Sequence, residues 1–330
     1  MGEASGTREP GRARVVAAKP RRRRVWLWIT AVGAVLLVGW SVGACALVGI
    51  FSGSWDRRMA WGIGDAVGVI YVEGIIGTRG TSSLSGVNGE RILEYVRQAE
   101  SDRRVKAIVV FINSPGGAVV PSDEMYRALR DATKPVIASM GDVAASGGYY
   151  IACGADKILA HPATITGSIG VYGWMINAAD LLEKLGVEGI IVRSGDSKAA
   201  GNWFEHPTAD QLAIEQAIVD ELYDLFVGIV SESRGIEKER VRELADGRPY
   251  TGRQAVELGL VDGLGALSDA IREAAQMGHI ADKPQIIEYR RTPSLLDLWM
   301  GAQRTKQVDL LSLEWLDARL ALPQMRYIGP

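Results

Sequence analysis

Between residues 141 and 158 the chain reads GDVAASGGYYIACGADKI, and no other stretch restricts its possible folds as much. It follows the apolar run PVIASM (135–140) and leads into apolar residues at helical spacing. The pattern predicts a strand, a tight turn of small residues, Ser146, and then a helix. A hydroxyl there sits at the positive end of a helix dipole, where negative charge is favoured. Two alanines before it and two glycines after it leave it open to an approaching molecule. Enzymes with a serine elbow present their nucleophile in this layout. Serine is also a good helix N-cap, and this stretch alone does not separate the two uses.

Strand-like and helix-like segments alternate on both sides of the turn. VGVIYVEG (67–74) and KAIVVFIN (106–113) read as buried strands. ERILEYVRQAESD (90–102) and SDEMYRALRDA (122–132) read as helices, the second opening on a capping serine. KILA (157–160), SIGVYG (168–173) and EGIIVRSG (188–195) read as further strands, with a helix near 177–185. A long amphipathic helix is expected over 208–233 and two short ones within 248–277. Such alternation predicts an α/β fold whose mostly parallel sheet is buried on both faces and flanked by helices.

The N-terminal part has a different character. Within residues 8–24, Arg8, Arg12, Arg14, Lys19 and the four arginines at 21–24 face only Glu9, and residues 25–51 then carry no charge. A helix of that length spans about 40 Å, enough for a hydrocarbon core of about 30 Å. The basic flank favours the cytoplasmic side. The expected organisation is a basic cytoplasmic tail (1–24), a single transmembrane anchor (25–51), a linker (52–65), a folded domain (66–290) and a C-terminal extension (291–330). The domain would then lie outside the cytoplasm, on a bacterial-type plasma or inner membrane. Cleavage near Ala44, Cys45 and Ala46, or lipidation of Cys45, are the alternatives. With a net charge of −2, nothing suggests nucleic-acid binding. Two cysteines make no disulfide framework, and no metal-ligand spacing or phosphate-binding loop occurs.

Glycine- or serine-rich turns follow several strands: Ser114-Pro115-Gly116-Gly117, Ser146-Gly147-Gly148, Thr166-Gly167-Ser168 and the segment 194–198 ending in Lys198. In open α/β sheets, sites form beyond the carboxyl ends of the strands, so these turns could converge. The SPGG turn can aim backbone N–H groups at an oxyanion, although Pro-Gly is also an ordinary turn. Lys198 alone reads as a solvated lysine in a small, partly apolar neighbourhood. His161, His206 and His279 read as loop or surface residues, and Cys153 as packing.

Taken together, VIYVEGIIG, KAIVVFINSPGGAVVPSDEMY, the segment from Lys134 through Gly173, VRSGDSKAAGNWF and YTGRQAVELGLVDGLG closely resemble the signal peptide peptidase A family of membrane-bound serine proteases. The resemblance covers about residues 66–290. It implies a fold like that of Clp proteases and crotonases, and a Ser–Lys dyad. By the resemblance, Ser146 is the nucleophile, Lys198 the general base and Ser168 a helper hydroxyl. Gly116, with the backbone at Gly117 and Gly147, forms the oxyanion hole. It further implies no metal and no cofactor, a homo-oligomeric ring with the dyad completed between subunits, and signal peptides and other hydrophobic peptides as substrates. An unperturbed lysine, with a pKa of about 10.4, accepts no proton at neutral pH, and burial is what lowers it. The alternatives are a crotonase-like acyl-CoA enzyme and a membrane-protein quality-control protease of the same fold.

Overall fold

Valine, isoleucine and alanine dominate the segments around 70, 110 and 140, and each forms a strand with both faces covered. The computed structural model describes residues 64–77, 86–281 and 283–290. The basic tail, the apolar span 25–51, nearly all of the linker and the C-terminal extension lie outside the described residues. Among the described residues no helix is long and apolar enough to cross a membrane.

In chain order the elements are β1 (Ala66–Glu73), β2 (Ile75–Gly77), β3 (Gly86–Asn88), α1 (Gly89–Ser101), β4 (Val105–Ser114), α2 (Val119–Arg130), β5 (Val136–Ala145), α3 (Gly147–Ala152), β6 (Lys157–Ala160), β7 (Ile165–Gly167), α4 (Ala179–Lys184), α5 (Ala209–Arg234), α6 (Lys238–Leu244), β8 (Pro249–Thr251), α7 (Gly252–Glu257), β9 (Gly263–Leu264), α8 (Leu267–Met277) and β10 (Gln285–Tyr289). The main sheet runs β10-β1-β4-β5-β6-β9, with neighbours parallel throughout. One face packs Ile70, Ile108 and Met140 against Val96 of α1, Met125 of α2, Tyr149 of α3 and Val230 of α5. The other packs Val69, Val109 and Ile137 against Ala270 and Ala274 of α8.

Two features of this sheet prepare the site. The register between β4 and β5 shifts after Ile112↔Met140, so that Ser114 comes to pair with Ala144. Beyond that irregularity β5 takes β7 as its parallel neighbour, and β7 takes β8 antiparallel. The end of β5 is thereby carried past the rest of the sheet and held from the side.

Three sequence expectations fail. The helix expected from Ser122 begins earlier, at Val119, because Pro121 falls in the first turn, where a missing N–H costs nothing. Ser122 is buried and its hydroxyl donates to the Ala118 carbonyl at 2.8 Å instead of capping. The other two are the strands expected at 168–173 and 188–195. Neither forms, and Ile190 and Val192 are 84% and 95% exposed. A strand needs partners for its backbone groups along its length; in the first segment only Ser168 and Ile169 find them, at Arg248 and Gly247, and among the described residues 188–194 have none.

Candidate active site

β5 ends at Ala145 and α3 begins at Gly147, leaving Ser146 alone at the corner. Its backbone has φ 51° and ψ −120°. Among the described residues the non-glycine positions with positive φ are Ser146, Ser168 and His279. Backbone held in such sparsely populated regions costs about 1–3 kcal/mol per residue and persists only where the surroundings enforce it. Here the Ser146 N–H donates to the Gly167 carbonyl at 2.8 Å, and its carbonyl accepts from the Tyr150 N–H at 2.9 Å. Tyr149 anchors the helix from below, its buried hydroxyl donating to the Leu260 carbonyl at 2.8 Å. The Ser146 side chain makes no capping bond, so the N-cap use is not the one realised.

The SPGG turn packs directly on this corner. A Cβ placed on Gly116 (φ +104°) would lie 2.7 Å from the Gly147 nitrogen and 2.9 Å from Ser146 Cβ. One on Gly117 (φ +152°) would lie 2.1 Å from the Ile76 carbonyl oxygen. Glycine is therefore required at both positions. Ile76 clasps the turn from β2, its N–H donating to the Gly116 carbonyl at 2.8 Å and its carbonyl accepting from the Ala118 N–H at 2.9 Å. The Gly116 N–H itself donates to Ser114 Oγ at 3.1 Å. Among the described residues, the N–H groups of Gly117 and Gly147 have no partner within the chain. Ser114, fully buried, is one residue whose role the sequence did not reveal. Its signal was a serine two positions before a glycine, the spacing at which a hydroxyl closes a local turn.

Ser168 stands beside Ser146. Ala145 and Gly167 are register partners in the β5–β7 pair, so each serine is the first residue past a paired one. Ser168 has φ 48°, and its N–H donates to the Arg248 carbonyl at 3.0 Å. Thr166 Oγ1 donates to the Ala144 carbonyl at 2.7 Å and pins the two strand ends together.

Lys198 is placed differently. It lies in an exposed turn over 194–201, and its N–H donates to the Gly195 carbonyl at 3.0 Å. Its side chain makes no hydrogen bond with Ser146, Ser168 or another described residue. Its neighbours Trp203 and Phe204 are exposed as well, as are Tyr172 and Trp174 earlier in the same arm. The structure thus brings Ser146, Ser168, Gly116, Gly117 and Gly147 together in one chain and leaves Lys198 outside that cluster.

The histidines lie elsewhere. His161 Nδ1 accepts from the Ala163 N–H at 3.2 Å, His206 meets Asp180 at 2.9 Å, and all three are exposed. Cys153 is buried at the end of α3, and burial pushes its thiol up to about 11, which keeps it protonated and inert at neutral pH. Among the described residues no group of histidine, cysteine, aspartate or glutamate could hold a metal.

Comparison with known proteins decides the family. The model of the family described as Peptidase family S49 matches residues 128–281, and that of Clp protease matches residues 74–166. An Enterococcus faecium protein provisionally named signal peptide peptidase SppA is 37% identical over 239 residues, covering 70% of this chain and 69% of that protein. The chain belongs to peptidase family S49. It is accordingly a serine-type peptidase with a Clp protease-like α/β fold, which sets the acyl-CoA reading aside. A second relative, the chloroplastic serine protease SPPA of Arabidopsis thaliana, is 36% identical over 70% of this chain and 34% of its own length. A solved ClpP1 variant from Listeria monocytogenes superposes with a TM-score of 0.42 at 18% identity, over 62% of this chain and 94% of that one.

Proposed function

We propose that this S49 peptidase is a membrane-anchored endopeptidase that degrades remnant signal peptides and other hydrophobic peptides, with Ser146 as nucleophile and Lys198 as general base. The observation that carries the reading is the strained Ser146 corner with the Gly117 and Gly147 N–H groups beside it. A strained, half-buried serine next to two unpartnered backbone donors is the arrangement that acyl transfer needs. In the reaction, neutral Lys198 takes the Ser146 Oγ proton as that oxygen attacks the peptide carbonyl. The Gly117 and Gly147 N–H groups receive the oxyanion, and Lys198 then protonates the leaving amine. A water activated by the same lysine hydrolyses the acyl-enzyme.

Lys198 is exposed in the single chain, and a lysine base has to be covered to act near neutral pH. The apolar arm around it suits a second copy, so the working enzyme is a homo-oligomer in which one copy's Lys198 meets its neighbour's Ser146 and Ser168. Ser168 holds the lysine amine by a hydrogen bond. Signal peptides are the substrate class because the Enterococcus relative carries that name, and the charge-free span 25–51 would keep the domain near membrane-derived peptides.

The test uses the full chain in detergent with a fluorogenic hydrophobic peptide and a synthetic signal peptide. Ser146→Ala and Lys198→Ala should each lower kcat on the order of 10⁴-fold or more, by analogy with the loss of a serine-protease nucleophile or base. Equal turnover by wild type and both variants would sink the dyad.

A further inference from the structure

We infer that Gln211 is a positioning residue for Lys198, its side-chain amide fixing the turn that carries the lysine to the start of α5. The inference rests on Lys198 being the base. The first half of α5 is largely open to solvent, with Leu212, Ile214 and Ile218 about half exposed, yet Gln211 in the same stretch is only 7% exposed. Its Oε1 accepts from the Thr208 N–H at 3.1 Å, while Thr208 Oγ1 accepts from the Gln211 N–H at 3.2 Å. That reciprocal cap needs only an acceptor at this position, and glutamate would fill it as well and suit the helix dipole better. What glutamine adds is a donor. Nε2 donates to the Asp196 carbonyl at 2.7 Å, two residues before Lys198.

The other hydrogen bonds of the turn are local. Lys198 N–H reaches Gly195, Ala200 N–H reaches Ser197, and Asn202 Nδ2 reaches Ala199. They shape the turn without attaching it to a helix. The Gln211–Asp196 bond makes that attachment, so the lysine Cα is referenced to a helix of 26 residues instead of to a loop. A flexible lysine on an unattached turn would sample many placements, and a misplacement of about 1 Å can cost about 10²-fold in rate.

Gln211→Glu keeps the cap acceptor and loses the donor, whereas Gln211→Met loses both without adding charge. Both are compared with wild type and Lys198→Ala as full chains in detergent, reading kcat and KM on a fluorogenic peptide, melting temperature, and oligomeric state by light scattering. Both Gln211 variants should lose about 10- to 100-fold in kcat, with KM and oligomeric state unchanged and Gln211→Glu melting with wild type. Wild-type kcat in both, beside an inactive Lys198→Ala, overturns the role of Gln211 and leaves the base in place. Wild-type activity in Lys198→Ala overturns the reading beneath it instead. A loss confined to unassembled protein, with normal kcat in the assembled fraction, also overturns the positioning role.

Discussion

Ser146 and Ser168 close neighbouring strands of a sheet buried on both faces, whereas Lys198 rides on an arm whose Trp174, Ile190 and Val192 face solvent. The seryl region is held from every side: Gly167 and Tyr150 fix the Ser146 backbone, Ile76 and Ser114 fix the SPGG turn, and Arg248 fixes Ser168. The arm is held by polar ties along its own length, such as Arg193 with Glu205 at 2.8 Å and Asn177 with the Glu205 carbonyl at 2.7 Å. The difference teaches that one region can store backbone strain because its surroundings are complete, while the other presents apolar surface that only an added layer would cover.

The sharpest way to break the comparison is to separate the two regions onto different copies. Ser146→Ala and Lys198→Ala chains, each inactive alone, should recover peptide turnover when co-assembled, because one supplies the serine and the other the lysine. Absence of recovery in mixed oligomers verified by mass spectrometry would put both groups in one chain. Charging the arm by Ile190→Glu with Val192→Glu should abolish assembly and turnover together while leaving the melting temperature of the sheet domain near wild type.

The seryl region is broken more gently at a single donor. Gly117→Ala forces a methyl to within 2.1 Å of the Ile76 carbonyl oxygen and must turn its N–H away. Loss of one oxyanion donor should lower kcat by about 10²–10³-fold, with oligomeric state retained. Unchanged kcat would remove Gly117 from the site.

The smallest effect concerns the support behind α3. Arg234 is nearly buried and grips Asp262 at 2.7 and 3.0 Å, while Asp262 also accepts from the Ile158 N–H at 2.7 Å. Burial alone would raise the Asp262 carboxyl. The Arg234 guanidinium and the Ile158 N–H outweigh it and hold it below the usual carboxylate range. A lowered folded-state value means the stabilisation is present above the unfolded value of about 3.9 and fades as pH falls through the folded one. Asp262→Asn should therefore cost about 1–3 kcal/mol at neutral pH, with the gap to wild type narrowing in acid. A gap in denaturant midpoint that stays constant from pH 7 to 3 would contradict this.

The parallel sheet, the Ser146 corner and the long α5 were legible because they rest on local rules: buried β-branched runs, small residues at a sharp turn, and apolar residues at helical spacing. SIGVYG and EGIIVRSG misled for a physical reason. Their residues favour strands, but β-propensity is expressed only against a partner, and among the described residues the partnering stops at Ser168 and Ile169. Ser114 and Gln211 were missed because their roles are single hydrogen bonds, one closing a turn within SPGG and the other reaching back from α5 to Asp196. Periodicity carries no trace of such bonds.

Pairing of β1 with β10 joins Ala66 to Gln285, and pairing of β7 with β8 joins the strand before Ser168 to residues 249–251. A ribosome delivers Ser146 long before either closing strand exists. The sheet that carries Ser146 and Ser168 is therefore closed at both places only by strands made after these serines. A product cut short before residue 249 would keep Gly167 and Tyr150, which hold the Ser146 backbone, but would lack β8, the antiparallel partner of the strand before Ser168.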